Sequence, residues 1–160
     1  MNNLKIETRK RERPTTTKLE FGHNQMDNFS PSGFRERIIT AAANLPHVTV
    51  GTSKVSEPSS VGFHLSASQG PENGFLYKGT NEFAHVHTTG FLHISMPPAM
   101  INLLIENGWA EIHPVTRRPD FYDNIVMVYA PVDEKELSFV IELIKISYNY
   151  ALGIKDSSMS

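Results

Sequence analysis

No cysteine occurs in this chain of 160 residues, and its absence excludes disulfide staples, thiolate nucleophiles and cysteine-ligated zinc or iron–sulfur centres together. It agrees with a reducing compartment. Long apolar runs are missing as well: none approaches the roughly 18 residues that a membrane span requires. Nor does an apolar segment follow the basic residues near the N-terminus, as it would in a signal peptide. The expectation is a soluble, cytoplasmic protein with no membrane partner. A strong excess of one charge is also lacking, and a formal net charge of −2 argues against a surface built to coat nucleic acid.

What is present is one domain's worth of chain, enough to bury roughly two thirds of its extended surface. Charge is distributed unevenly. Among residues 1–20, Lys5, Arg9, Lys10, Arg11, Arg13 and Lys18 outnumber Glu7, Glu12 and Glu20, a local +3 that leaves −5 elsewhere. Residues 1–29, polar and without periodicity, are expected to form a flexible basic extension; the alternative is an arm for RNA or an acidic partner. Residues 30–154 are expected to form a single domain and 155–160 a disordered tail.

Ser30 and Pro31 read as N-cap and first residue of a helix whose apolar face is Phe34, Ile38, Ala41, Ala42 and Leu45. Two short β-branched runs, HVTVGTSKV and SVGFHLSAS, read as an antiparallel pair. After a turn at QGPENG, NEFAHVH and FLHIS form a further hairpin, and Pro97 and Pro98 open a helix over MINLLIENG that Gly108 caps. WAEIHPV and the apolar run IVMVYAP supply two more strands. Asp133 and Glu136 have capping-box spacing before a last helix with period 3.6 that ends at Gly153. The predicted fold class is α+β, a largely antiparallel sheet with three helices mainly on one face.

Four of the seven histidines lie between Glu82 and Pro114. In a strand, His85 and His87 share a face. If Thr88, Thr89 and Gly90 form a three-residue loop with Gly90 left-handed, His87 pairs with Phe91 and His85 with His93, bringing three imidazoles together. A two-residue loop would put His93 on the wrong face. The residues leave three uses open for His85, His87 and His93: ligands of a divalent metal, with His113 as a fourth; a metal-free site in which an imidazole takes a phenolic or enolic proton; or hydrogen-bonded structural side chains. No cofactor beyond such a metal is implied. Glu82 and Glu111 are the nearby carboxylates, but Glu82 alternates with Ala84 and Val86 and is expected to face away from the rings. Trp109 reads as a core anchor or a flat wall for an aromatic ligand, and Tyr129 as a packed tyrosine or a partner for a histidine. Arg117 and Arg118 beside Asp120 read as solvated loop charges, with an anion clamp as the alternative.

The stretch from Glu82 to Tyr150 resembles the luciferase domain of luminous fungi and of small bacterial proteins that share it. The resemblance lies in EFAHVH (Glu82 to His87), Leu92 and His93, Gly108, Trp109, His113 and Pro114, then Tyr129, Ala130, Pro131, Glu134, Glu136, Ser147 and Tyr150. A weaker part takes in Phe63 and His64. The resemblance implies a pocket in which His85, His87, His93 and His113 are catalytic and His64, Trp109 and Tyr129 touch substrate. It also implies a small aromatic or enolic ligand as partner and oxygenation without a dissociable cofactor, as the fungal enzymes oxygenate a hydroxylated pyrone with emission of light. This chain lacks the N-terminal hydrophobic segment of the fungal proteins and has shorter loops, so the resemblance carries fold and site rather than light emission. The closing strand, acidic cap and helix are also similar to small bacterial domains of the MmcQ/YjbR type, which implies as the alternative a non-catalytic interaction module. Neither resemblance specifies an oligomeric state.

Overall fold

Alternating and 3.6-residue apolar patterns translate into nine main elements in the expected order. They are α1 (Phe34–Ala43), β1 (Val48–Thr52), β2 (Val61–Leu65), β3 (Glu82–Val86), β4 (Leu92–Ser95), α2 (Pro98–Glu106), β5 (Ala110–Ile112), β6 (Ile125–Val128) and α3 (Glu134–Leu152). The computed structural model describes residues 6–68 and 70–154. The first five residues of the expected extension, Gln69 of the expected turn and the tail 155–160 lie outside them. The six strands form one antiparallel sheet in the order β1-β2-β3-β4-β6-β5.

The sheet has two different faces. Phe63, Ala84, Val86, Ile94, Val126 and Val128 meet Phe34 and Ile38 of α1, Met100 and Leu104 of α2, and Leu137, Val140 and Ile144 of α3 in one buried core. The apolar stripes of all three helices are spent on that face. Each buried Leu or Ile side chain there contributes about 1.5–3 kcal/mol by leaving water. The chain thus has an α+β fold, three helices on one antiparallel sheet. Among the described residues no helix is long and apolar enough to cross a membrane.

Local signals explain most boundaries. The Asp133 carboxylate accepts the Glu136 N–H at 2.8 Å, and α3 stops at Gly153, whose φ of 98° is left-handed. Ser30 does not cap α1. Its hydroxyl donates instead to the Pro131 carbonyl at 2.6 Å, and the helix begins after Gly33, which turns with φ 92°. The sequence signal was a capping residue; tertiary contact with the chain before α3 recruited it elsewhere.

The opposite face is covered by chain without regular structure. Residues 6–29, expected to be a flexible extension, lie against it with Arg9, His23 and Gln25 buried. The arm folds on itself where Thr17 N–H donates to Asn24 O at 2.9 Å and Met26 N–H to Thr15 O at 2.8 Å. Three of its basic residues are paired inside the domain: Arg11 with Asp133 and Glu136, Arg13 with the Ala110 carbonyl, and Lys18 with Glu111. Polarity without periodicity suggested a free leader, but Arg11, Arg13, Lys18 and His23 all find partners on the sheet or at the start of α3.

Candidate functional site

The β3–β4 hairpin sets the site. His87 N–H donates to Phe91 O at 2.9 Å, Gly90 N–H donates to His87 O at 3.0 Å, and Gly90 has φ 103°, so the three-residue loop forms as its sequence predicts. His85 is paired with His93 in the resulting register. Both rings, with His87, project from the face opposite the helices. The His87 ring stacks on Phe91 at 4.0 Å between centroids.

A β-bulge brings in the carboxylate that ideal alternation would send away. Phe63 pairs with Ala84, but the next residue, His64, pairs with Glu82, so Phe83 is an extra residue on its strand. Phe83 and Ala84 both enter the helix-side core, and Glu82 turns to the histidine face. The expectation that Glu82 faces away is therefore corrected: its Oε2 lies 2.8 Å from His85 Nδ1. Gly62, opposite His85, makes room, since a Cβ there would stand 3.0 Å from the Glu82 carboxylate.

Each of three histidines leans on one acid through one ring nitrogen. His85 Nδ1 meets Glu82, His87 Nδ1 meets Glu57 at 2.9 Å, and His23 Nε2 meets Glu111 at 2.7 Å. The nitrogens on the other side of two of these rings converge: His85 Nε2 and His87 Nε2 each lie 3.1 Å from His93 Nδ1. On the far side of His93 stand His23, at 5.2 Å between centroids, and His113, at 4.2 Å. His113 has extended backbone before Pro114, and its Nδ1 accepts the Val115 N–H at 3.0 Å. Two nitrogens in this group, His23 Nδ1 and His93 Nε2, are buried without any hydrogen-bond partner.

Electrostatics keep the acids charged and three of the rings neutral. Burial pushes the Glu57 carboxyl up, but the hydrogen bonds and charge of His87 and the Ser56 hydroxyl prevail and hold it at about 2. Burial likewise raises Glu111, and donors from His23, Lys18, Thr16 and Tyr129 outweigh it, again to about 2. Glu82 is held below its ordinary value against the same burial by His85, Ser53 and the Lys54 amide. Desolvation, then the neighbouring rings, lower His87 to about 4, His113 to about 3, and His93 well below the usual imidazole range. At neutral pH those three rings are uncharged.

A cleft of about 280 Å³ opens onto these rings, lined by His23, His85, His87, His93 and His113, by Phe21, Leu76, Val115 and Phe121, and by the polar Glu20, Asn24, Ser56 and Glu57. The four histidines expected to be catalytic are thus brought together. His64, Trp109 and Tyr129, expected to touch substrate, do not line this cleft. His64 sits behind Glu82 with Nε2 3.2 Å from the Thr52 carbonyl. Trp109 packs on Phe139 of α3 at 4.3 Å and donates to the Glu7 carbonyl. Tyr129 donates to Glu111 at 3.0 Å, and burial pushes its hydroxyl up to about 12, so it stays protonated. Arg118, half-exposed, pairs with Glu20 and Asp120 and stacks over Phe21 of the arm.

Two contributors escaped the sequence reading. His23 lies in an aperiodic polar segment, and nothing local distinguishes it from a solvated side chain. Glu57 sits in a turn, EPSS, whose residues signal only the turn.

Residues 80–147 match the family model described as the luciferase domain. That span carries His85, His87, His93, His113, Glu82 and Glu111, whereas His23 and Glu57 come from outside it. No curated protein and no solved structure matches the chain.

Proposed function

From the premise that residues 80–147 are a luciferase-like domain, we propose that this protein binds a small phenolic or enolic compound in the histidine-lined cleft and promotes its oxygenation. The observation that carries this reading is the pair of buried, unpartnered nitrogens, His23 Nδ1 and His93 Nε2, in two of the histidines that line the cleft. Buried polar atoms without partners are rare, and a hydroxyl oxygen between these two would satisfy both. The aromatic and aliphatic faces of Phe21, Leu76, Val115 and Phe121 beside convergent polar groups suit an oriented ring compound, and about 280 Å³ takes one or two rings.

Each neighbour has a role in that chemistry. Glu111 accepts the Nε2 proton of His23, which leaves His23 Nδ1 as the lone pair to take the substrate hydroxyl proton. His113, with Nδ1 engaged by the Val115 N–H, turns an Nε2–H donor to the oxyanion that results. The enolate or phenolate then adds molecular oxygen at carbon, and the proton held on His23 returns to the peroxide anion, so that substrate and oxygen combine into a hydroperoxide. Phe21 and the arm that bears His23 shield these rings from water.

A screen of phenols and hydroxylated pyrones by calorimetry, each beside its methyl ether, tests the reading. A site built to bond a hydroxyl should bind the free compound at least tenfold more tightly than the ether. Equal binding of the two, or none of either, would overturn it. A recessed cleft with charged acids behind its histidines favours this reading over a non-catalytic interaction module, which would use a flat apolar patch.

A further inference from the structure

At the inner end of the cleft, two imidazole lone pairs face a single proton. The ionised carboxylates of Glu82 and Glu57 can only accept, so the rings they hold carry their protons on Nδ1. With both rings neutral, the Nε2 atoms of His85 and His87 are bare, and both point at His93 Nδ1 from 3.1 Å. A proton on His93 Nδ1 serves one of them well and leaves the other short. A proton on His93 Nε2 leaves three lone pairs facing one another, all in rings at most 5% exposed. Neither arrangement satisfies all three nitrogens with protein partners alone.

We propose that His85 Nε2, His87 Nε2 and His93 Nδ1 are the protein ligands of one divalent transition-metal ion. The three nitrogens lie within 4.8 Å of one another. With metal–nitrogen bonds of about 2.0–2.1 Å, neighbouring ligands stand about 3.3 Å apart in a tetrahedron and about 2.9 Å apart in an octahedron; the observed 3.1 Å falls between these. Three neutral imidazoles suit zinc, iron or cobalt and leave positions open toward the cleft. Glu82 and Glu57 stand behind two of the ligands in the carboxylate–histidine arrangement that fixes ring and tautomer, and their two negative charges balance a divalent ion.

A second trio, His23, His93 and His113, has similar spacing. It does not bind the ion. The Val115 N–H occupies His113 Nδ1, so the nitrogen that ring turns to the cleft carries a proton. His93, with Nδ1 on the metal, likewise turns an Nε2–H to that side. The unpartnered His93 Nε2 thus becomes a donor to whatever oxygen sits beside His23 Nδ1. The metal site itself stands on this geometry; only its use, placing a Lewis acid one imidazole away from the bound hydroxyl, rests on the proposed small-molecule reading.

Full-length protein without a histidine tag, stripped by chelator, is titrated with Co²⁺ alone. One equivalent should bind with visible d–d bands and be displaced by Zn²⁺, and three exchangeable imidazole N–H signals should appear paramagnetically shifted. His85→Gln should weaken binding at least 100-fold, Glu82→Gln 10–100-fold, His113→Gln less than threefold, and the exposed His47→Gln not at all. Absence of stoichiometric binding to the parent protein, or binding unchanged by His85→Gln, overturns the site. A loss in His113→Gln equal to that in His85→Gln overturns the choice of trio. Should His85→Gln fail to fold, the shifted N–H count on the parent protein decides, and a number other than three overturns the assignment. Phenol binding measured on the metal-free protein separates the two ideas. Phenol binding without cobalt binding sinks the metal alone; cobalt binding without phenol binding sinks the substrate reading alone.

Discussion

Replacing Glu82 by glutamine keeps the shape of a fully buried side chain while removing its charge and one of its two acceptor oxygens. The carboxylate accepts three hydrogen bonds, from Ser53 Oγ at 2.7 Å, His85 Nδ1 at 2.8 Å and the Lys54 N–H at 2.8 Å. A glutamine carbonyl can take the first two or the last, but its NH₂ must then oppose a donor on the other side. An abandoned donor costs about 1–3 kcal/mol, and the remaining bonds lose about 1 kcal/mol each of charge assistance. Relief of the buried charge returns part of this. The expected net loss is about 2–3 kcal/mol in urea unfolding at pH 7, followed by fluorescence of Trp109. Unchanged or increased stability would refute the reasoning, because it would mean that burial outweighs the three donors and the native carboxyl is protonated.

Other consequences follow from the same contacts. Gly62→Ala drives a Cβ to 3.0 Å from the Glu82 carboxylate and 2.8 Å from His64 Nε2, so a loss of about 1–3 kcal/mol and a weakened His85 contact are expected in thermal unfolding. His23→Ala removes the arm's buried bond to Glu111; limited trypsin digestion should then cut after Lys18 well before the core opens. Glu111 titrates near 2 in the fold against 4.5 ordinarily. A depressed folded value means that its stabilisation is complete above about pH 4.5 and is lost as pH falls toward 2. Denaturation midpoints measured across that window should fall, and Glu111→Gln should flatten the dependence; an equal slope in the variant would contradict the assignment.

Fold and site differ in how much of them the sequence exposes. The order of helices and strands was legible because apolar period and turn chemistry are local: Gly90 in TTG fixed the hairpin register, and with it the meeting of His85, His87 and His93. What escaped depends on distant chain. Nothing around Phe83 announces a bulge, so a strict two-residue period sends Glu82 to the wrong face. Ser30 had the chemistry of a cap, yet the Pro131 carbonyl claimed its hydroxyl. His23 and the basic arm looked solvated because their partners, Glu111, Glu136 and Asp133, are about 90–125 positions away. Trp109, marked by its flat ring, was claimed by Phe139 and the Glu7 carbonyl instead of the cleft.

Long-range proton–nitrogen NMR of the metal-free protein, labelled with ¹⁵N and held at pH 7, reads which nitrogen of each imidazole carries the proton. His85 and His87 should both appear neutral and protonated on Nδ1, each with a bare Nε2 turned to His93. Protonation on Nε2 in either ring, or an imidazolium at either position, would contradict the convergence of lone pairs on which the site depends.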